Sequence, residues 1–184
     1  GSEMCIRDRQ QIIDEISKVG GKFIPNPSDI SKFTKICITN LPNTKDVENI
    51  VIGKNGIINN LQTGSIVIDM STISPEGTRY INDKLRARKS YLVDAPVSGG
   101  EAGAKSGELS IMVGGDKSAY LKIRYILSIL GSKITYLGKS GSGQVCKACN
   151  QILVAQTIQS ISEIITIARK SDISPMIIRE ALLA

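Results

Sequence analysis

Lys147 sits in the stretch GSGQVCKACNQ, residues 141–151, at the start of a long apolar run. Between Gln144 and Ala168 only Lys147 and Glu163 carry charge. An amine in the first turn of a helix meets the positive end of the helix dipole. Partial burial adds a desolvation penalty, and both effects disfavour the charged form. That is the tuning a lysine needs to act as a general acid or base near neutrality. Asn150 and Gln151, three and four residues on, share its helical face and could hold hydroxyl or carboxylate groups beside the amine. The competing reading is a solvated lysine at a helix start.

A second stretch, DAPVSGGEAGAKSGELSIMVGG at residues 94–115, is rich in glycine yet runs into the strand-like LSIMV. Pro96 and Gly99-Gly100 flank Val97-Ser98, so the backbone there is shaped and bare. Exposed peptide N–H groups beside a hydroxyl make a cradle for a carboxylate. The alternative is that Gly99-Gly100 merely turns the chain. Cys146-Lys-Ala-Cys149 has the Cys-x-x-Cys spacing, but zinc would need two further ligands. The chain has no histidine and no second such pair. The cysteines are therefore read as small buried hydrophobes, with neither a metal nor a disulfide framework.

These residues need elements to position them. Lys35–Thr39, Ser65–Asp69, Tyr91–Val93, Leu109–Val113 and Lys133–Leu137 are β-branched or apolar runs that read as strands. Helices are predicted between them: Arg9–Val19, Thr44–Ile52, one opened by Ser74-Pro75 and running to Lys89, and one capped by Asp116. Strands alternating with helices imply an α/β fold with a mostly parallel sheet. In such a sheet ligands gather outside the carboxyl ends of the strands, where Asn40-Leu41-Pro42, Ser71-Thr72 and Ala95–Gly100 fall. After Gly138 the character changes. Gln144 to Arg169 reads as one helix of about 26 residues, roughly 40 Å long. It is apolar around most of its circumference and predicts burial by other helices. Ser174-Pro175 opens another helix. The boundary falls near Gly138, giving units of residues 1–138 and 139–184.

Composition bounds the function. The chain has 184 residues, 41% apolar and 22% charged, enough to bury a real core. Its net charge of +6 raises nucleic-acid binding, but the basic residues are scattered, and two phenylalanines with no tryptophan offer few stacking platforms. Nucleic acid is not expected as a partner. No unbroken apolar run approaches the ~18 residues of a membrane span. The N-terminus lacks the apolar segment of a secretory signal, which favours the cytosol or an organelle matrix.

The two stretches DAPVSGGEAGAKSGELSIMVGG and GSGQVCKACNQ, in this order and spacing, resemble the β-hydroxyacid dehydrogenases. That family includes 3-hydroxyisobutyrate dehydrogenases and tartronate semialdehyde (2-hydroxy-3-oxopropionate) reductases, with 6-phosphogluconate dehydrogenase a more distant relative. The resemblance covers about Gly20 to Ala184. It implies a partial Rossmann-like domain followed by the first helices of an all-α domain that binds substrate and builds a homo-oligomer. It implies NAD or NADP as cofactor and a small hydroxy acid as substrate. On it, Lys147 is the catalytic acid/base; Ser98, Gly99, Gly100, Asn150 and Gln151 bind substrate; Leu41, Pro42 and Thr72 line the nicotinamide. Decarboxylating relatives carry a glutamate seven residues after the lysine, where this chain has Val154. Glu101 and the run Asn150–Ala155 look closer to the tartronate semialdehyde reductases.

The family's glycine fingerprint G-x-G-x-x-G, which admits a pyrophosphate to a helix N-terminus, does not occur in these residues. The resemblance therefore implies a chain truncated at both ends and inactive by itself. The alternative function is a non-catalytic, protein-binding module derived from a dehydrogenase.

Overall fold

The computed structural model describes residues 2–183. In chain order its elements are α1 (Ser2–Lys18), α2 (Pro27–Ile30), β1 (Ile36–Thr39), α3 (Thr44–Ile52), a 3-10 turn at Ile57–Asn60, β2 (Ile66–Asp69), α4 (Pro75–Ala87), β3 (Tyr91–Asp94), β4 (Val97–Ser98), α5 (Gly100–Ser106), β5 (Ser110–Gly115), α6 (Lys117–Leu130), β6 (Lys133–Gly138), α7 (Ser142–Lys170) and α8 (Pro175–Leu183). Short polar side chains start the helices by accepting their free N–H groups. Asn43 accepts from Asp46 ahead of α3, Ser74 from Gly77 ahead of α4, and Asp116 from Ser118 and Ala119 ahead of α6.

The strands β1, β2 and β3 run parallel and in register, which sets Thr39, Asp69 and Asp94 side by side at the carboxyl edge. Three of the five strand pairings are parallel, as the sequence pattern implies, and the sheet becomes mixed beyond β3. β5 pairs antiparallel with both β3 and β4, and β6 then returns parallel to β5. The sequence pattern misses β4 and α5 because both are short and lie in the glycine-rich stretch. Gly100 and Gly103 lower helix propensity across α5, and Gly107 ends it in the left-handed conformation.

Alternation along the strands divides the core between the two faces of the sheet. Ile66, Ile68, Val93, Ile111 and Val113 meet Ile123 and Leu127 of α6 on one face. Cys37, Val67 and Leu92 meet Val47 and Val51 of α3 and Ile81 and Leu85 of α4 on the other. Each fully buried aliphatic side chain contributes about 1.5–3 kcal/mol relative to exposure. This two-sided burial holds the strand ends, and so the loops of the site, in fixed places.

The expectation of a buried long helix is corrected. Gly143, Gln144 and Lys147 are buried at the start of α7, and Ala168 near its end. Between them Ile152, Leu153, Ile158, Ile161 and, further on, Ile167 are each more than half exposed. Among the described residues, α8 is the helix packed on the distal part of α7. By length and composition α7 also meets what a membrane crossing needs, contrary to the reading from unbroken apolar runs. Core helices of soluble proteins meet the same requirement.

Candidate active site

Asp94 ends β3 fully buried, with its carboxylate turned into the start of α7. Its Oδ1 accepts the Gly141 N–H at 2.8 Å and its Oδ2 the Gln144 N–H at 3.2 Å. Burial pushes the Asp94 carboxyl above its ordinary range, against the pull of these N–H groups. Glycine is required around this contact. A Cβ on Gly114 would lie 2.6 Å from Asp94 Oδ2, and one on Gly143 would lie 2.3 Å from the Met112 carbonyl oxygen.

The next residue in the network is Gln144, only 1% exposed. Its Oε1 accepts the Ile73 N–H at 3.1 Å, and its Nε2 donates to the Ser71 carbonyl at 2.8 Å. Asp69 continues the chain of contacts. Its Oδ1 accepts from Thr39 Oγ1 at 2.9 Å and from Ser71 Oγ at 2.6 Å. Ser71 Oγ in turn accepts the Leu41 N–H at 2.8 Å. The loops after β1, β2 and β6 are thus one hydrogen-bonded unit at the carboxyl edge. Asp69 Oδ2 is buried without a partner among the described residues. Burial above all, and the charge of Asp94 to a lesser degree, raises the Asp69 carboxyl, while the Ser71 and Thr39 hydroxyls oppose the shift.

Beside this network lies a cavity of about 480 Å³, whose lining includes Asn40, Met70, Ser98, Gly99, Gly100 and Lys147. It brings together the two stretches that the sequence marked as chemical. Lys147 is only 9% exposed. It lies in the second turn of α7, not the first, because the helix starts at Ser142. Gly99 has φ 136° and Gly100 φ 61°, conformations that L side chains rarely adopt. The pair opens α5, whose first N–H groups have no intrahelical acceptor. Amine, hydroxyl and bare N–H groups around one cavity can hold a carboxylate and exchange a proton with an oxygen beside it.

The remaining expected residues lie around this centre. Asn150 is half-buried, and its Oδ1 is covered and has no partner among the described residues, one turn from Lys147. Gln151 is exposed on α7. Leu41 is half-buried, and Pro42 and Thr72 are exposed. They follow the cavity-lining Asn40 and Met70 by one or two residues in sequence and do not themselves line the cavity. Sequence reasoning placed Asn40 in a loop at the ligand-gathering edge but gave it no role, and it passed over Met70 and Gln144. The signal for Asn40 was its place just after a strand at the carboxyl edge. The cysteine reading is corrected in part: Cys37 is buried and Cys146 half-buried, but Cys149 is exposed.

The domain family described as the NAD binding domain of 6-phosphogluconate dehydrogenase matches residues 1–138. The one described as NAD-binding of NADP-dependent 3-hydroxyisobutyrate dehydrogenase matches residues 141–184. The chain is 34% identical to 2-hydroxy-3-oxopropionate reductase of Escherichia coli, over 100% of this chain and 63% of that protein. It is 31% identical to the mitochondrial 3-hydroxyisobutyrate dehydrogenase of Rattus norvegicus, over 93% of this chain and 51% of the other. It thus spans between half and two thirds of the length of these relatives. Among solved structures, the 3-hydroxyisobutyrate dehydrogenase of Mycobacterium tuberculosis, solved with L-serine, is 31% identical with a TM-score of 0.72, covering 80% of this chain and 50% of that one. An imine reductase from Myxococcus stipitatus in complex with NADP+ shares the fold at a TM-score of 0.78 with 17% identity. With its NAD-binding region matched through residue 138, and relatives of this kind along its length, the chain belongs to the NAD(P)-dependent hydroxyacid dehydrogenase family.

Proposed function

We propose that this chain is the part of a β-hydroxyacid dehydrogenase that meets the nicotinamide and the substrate. The reaction is reversible hydride transfer at the alcohol or aldehyde carbon of a short hydroxy acid of the 3-hydroxyisobutyrate or tartronate semialdehyde type. The observation that carries it is the burial of Lys147 in the same cavity as Ser98, Gly99 and Gly100. Ser98 and the N–H groups at Gly99 and Gly100 hold the substrate carboxylate. Lys147 gives a proton to the carbonyl oxygen during reduction and takes it back from the hydroxyl during oxidation. Asn150 and Gln151 orient the substrate from α7, and Leu41, Pro42 and Thr72 border the nicotinamide. NAD or NADP supplies or accepts the hydride when bound. Val154 stands where decarboxylating relatives place their glutamate, which supports a reaction without loss of carbon dioxide. The functional boundary is near Gly138, between a nucleotide-binding part and a helical part.

The test uses the chain completed to the length of its relatives. Lys147→Ala is expected to lower kcat by at least about 10²-fold, the lower bound for a general acid–base group, with dinucleotide affinity nearly unchanged. Lys147→Arg is expected not to restore it, because guanidinium does not give up its proton. Ser98→Ala is expected to act mainly through KM. A Lys147→Ala enzyme keeping more than about a tenth of the wild-type kcat would overturn the assignment.

A further inference from the structure

A second cavity, of about 340 Å³, shares no lining residue with the first. Arg79, Asn82 and Arg86 line it from one face of α4, at the i, i+3, i+7 spacing that stacks side chains along a helix. Lys139 and Ser140, in the loop from β6 to α7, close it from the other side, and Asp116 stands at its edge. Three cations thus face one carboxylate.

That carboxylate is already occupied. Asp116 Oδ1 accepts from Ser118 N–H at 2.9 Å, Ser118 Oγ at 2.6 Å and Ala119 N–H at 3.1 Å, as the cap of α6. Its Oδ2 lies 3.7 Å from Arg86, and Glu76 lies 3.8 Å from Arg79. Both are half-exposed contacts, too long to be hydrogen bonds and of the kind worth little in water. Lys139 makes no ion pair among the described residues. The Ser140 Oγ is covered and has no partner among the described residues, a donor left without an acceptor. Arg79 is also held in place: a Cβ on Gly141 would lie 3.3 Å from its Nε, so the side chain rests against the loop backbone.

From this geometry we infer that the cavity between α4 and the β6–α7 loop binds a phosphate dianion, free or at the end of a small ester. Guanidinium groups present paired donors that match phosphate oxygens, lysine adds charge, and Asn82 and Ser140 supply neutral donors. Its volume exceeds the ~30 Å³ share of one water about tenfold, which leaves room for an organic group behind the phosphate. Lys139 and Ser140 immediately precede α7, so the occupant would bear on the helix that carries Lys147.

The chain as it stands is titrated calorimetrically with inorganic phosphate and with glycerol phosphate, at constant ionic strength against sodium chloride. Binding of either probe is expected, and the double variant Arg79→Gln, Lys139→Gln should weaken it about tenfold or more, in line with the loss of charged hydrogen bonds. Both side chains are solvent-facing, so the melting temperature of the variant without phosphate should match that of the wild type. Tighter binding of glycerol phosphate would identify an organic phosphate as the occupant. Equal binding would identify the free ion. Heats no greater than the chloride control, or equal affinity in wild type and double variant, would overturn the inference.

Discussion

Asp69 and Asp94 stand opposite each other in register, both fully buried, and they should respond differently to the same substitution. Asp69 uses one oxygen for its three hydrogen bonds and leaves the other bare. Asparagine can keep those bonds through Oδ1 and put its amide where the bare oxygen was. Burial raises the Asp69 carboxyl above 3.8. For an acid raised on folding, the stabilising contribution is fully present below the unfolded value and is lost as pH rises through the folded one. Asp69→Asn removes that loss, so urea unfolding at pH 4 and pH 7 should show a smaller drop in stability than the wild type. A drop equal to that of the wild type would contradict this. In Asp94 both oxygens accept backbone N–H groups of the α7 start. An asparagine amide would face one of those donors, and a buried N–H left unpaired costs about 1–3 kcal/mol. Asp94→Asn should therefore destabilise at neutral pH by about that amount, read from the same urea curves. The two chemical stretches were legible in the sequence because lysine in an apolar helix and glycine beside serine are local anomalies. Asp69, Asp94 and Gln144 were not assigned roles, because their hydrogen bonds run to partners 30 to 73 positions away.

Among the elements, the strands and helices with local start signals were readable: β2 as an apolar run, α4 from Ser74-Pro75, α6 from Asp116. What escaped the sequence was direction. Whether β5 lies parallel or antiparallel to β3 depends on the reversal through β4 and α5, which no periodicity of β5 itself encodes. The start of α7 is the element that joins the site together. Gln144 fastens it to the β2–α4 loop, so Gln144→Ala would leave the Ile73 N–H and the Ser71 carbonyl unpaired in a buried place. The expected cost is about 2–6 kcal/mol, from two orphaned groups at about 1–3 kcal/mol each. Hydrogen exchange should report it locally, with the Ile73 amide opening faster than those of β2. Protection at Ile73 equal to the wild type would show that the loop is held by Asp69 and Ser71 alone.

At the scale of the whole molecule, two consequences follow from what the sheet and α7 leave uncovered. The glycine loop that admits a pyrophosphate to a helix N-terminus, G-x-G-x-x-G, does not occur in these residues. This chain is expected to bind NAD or NADP weakly or not at all in a calorimetric titration, and micromolar binding of either would count against that expectation. The second consequence is self-association. Ile152, Leu153 and Ile158 are each more than half exposed along α7. Further along, α7 and α8 form an apolar groove of about 460 Å³ lined by Ile161, Ile164, Met176 and Leu182. Apolar surface this continuous marks an interface or an aggregation hazard. Burying one such side chain between two copies would contribute about 1.5–3 kcal/mol, so a few symmetric pairs outweigh the entropy of dimer formation. Sedimentation at tens of micromolar should therefore show species larger than the monomer. Ile158→Asp places a charge on that face at a helix cost of only about a few tenths of a kcal/mol, since the two residues have similar helix propensity. It should return the distribution to monomer with the circular dichroism of the wild type. A wild-type chain that sediments only as monomer would show that this face needs no cover from a second copy.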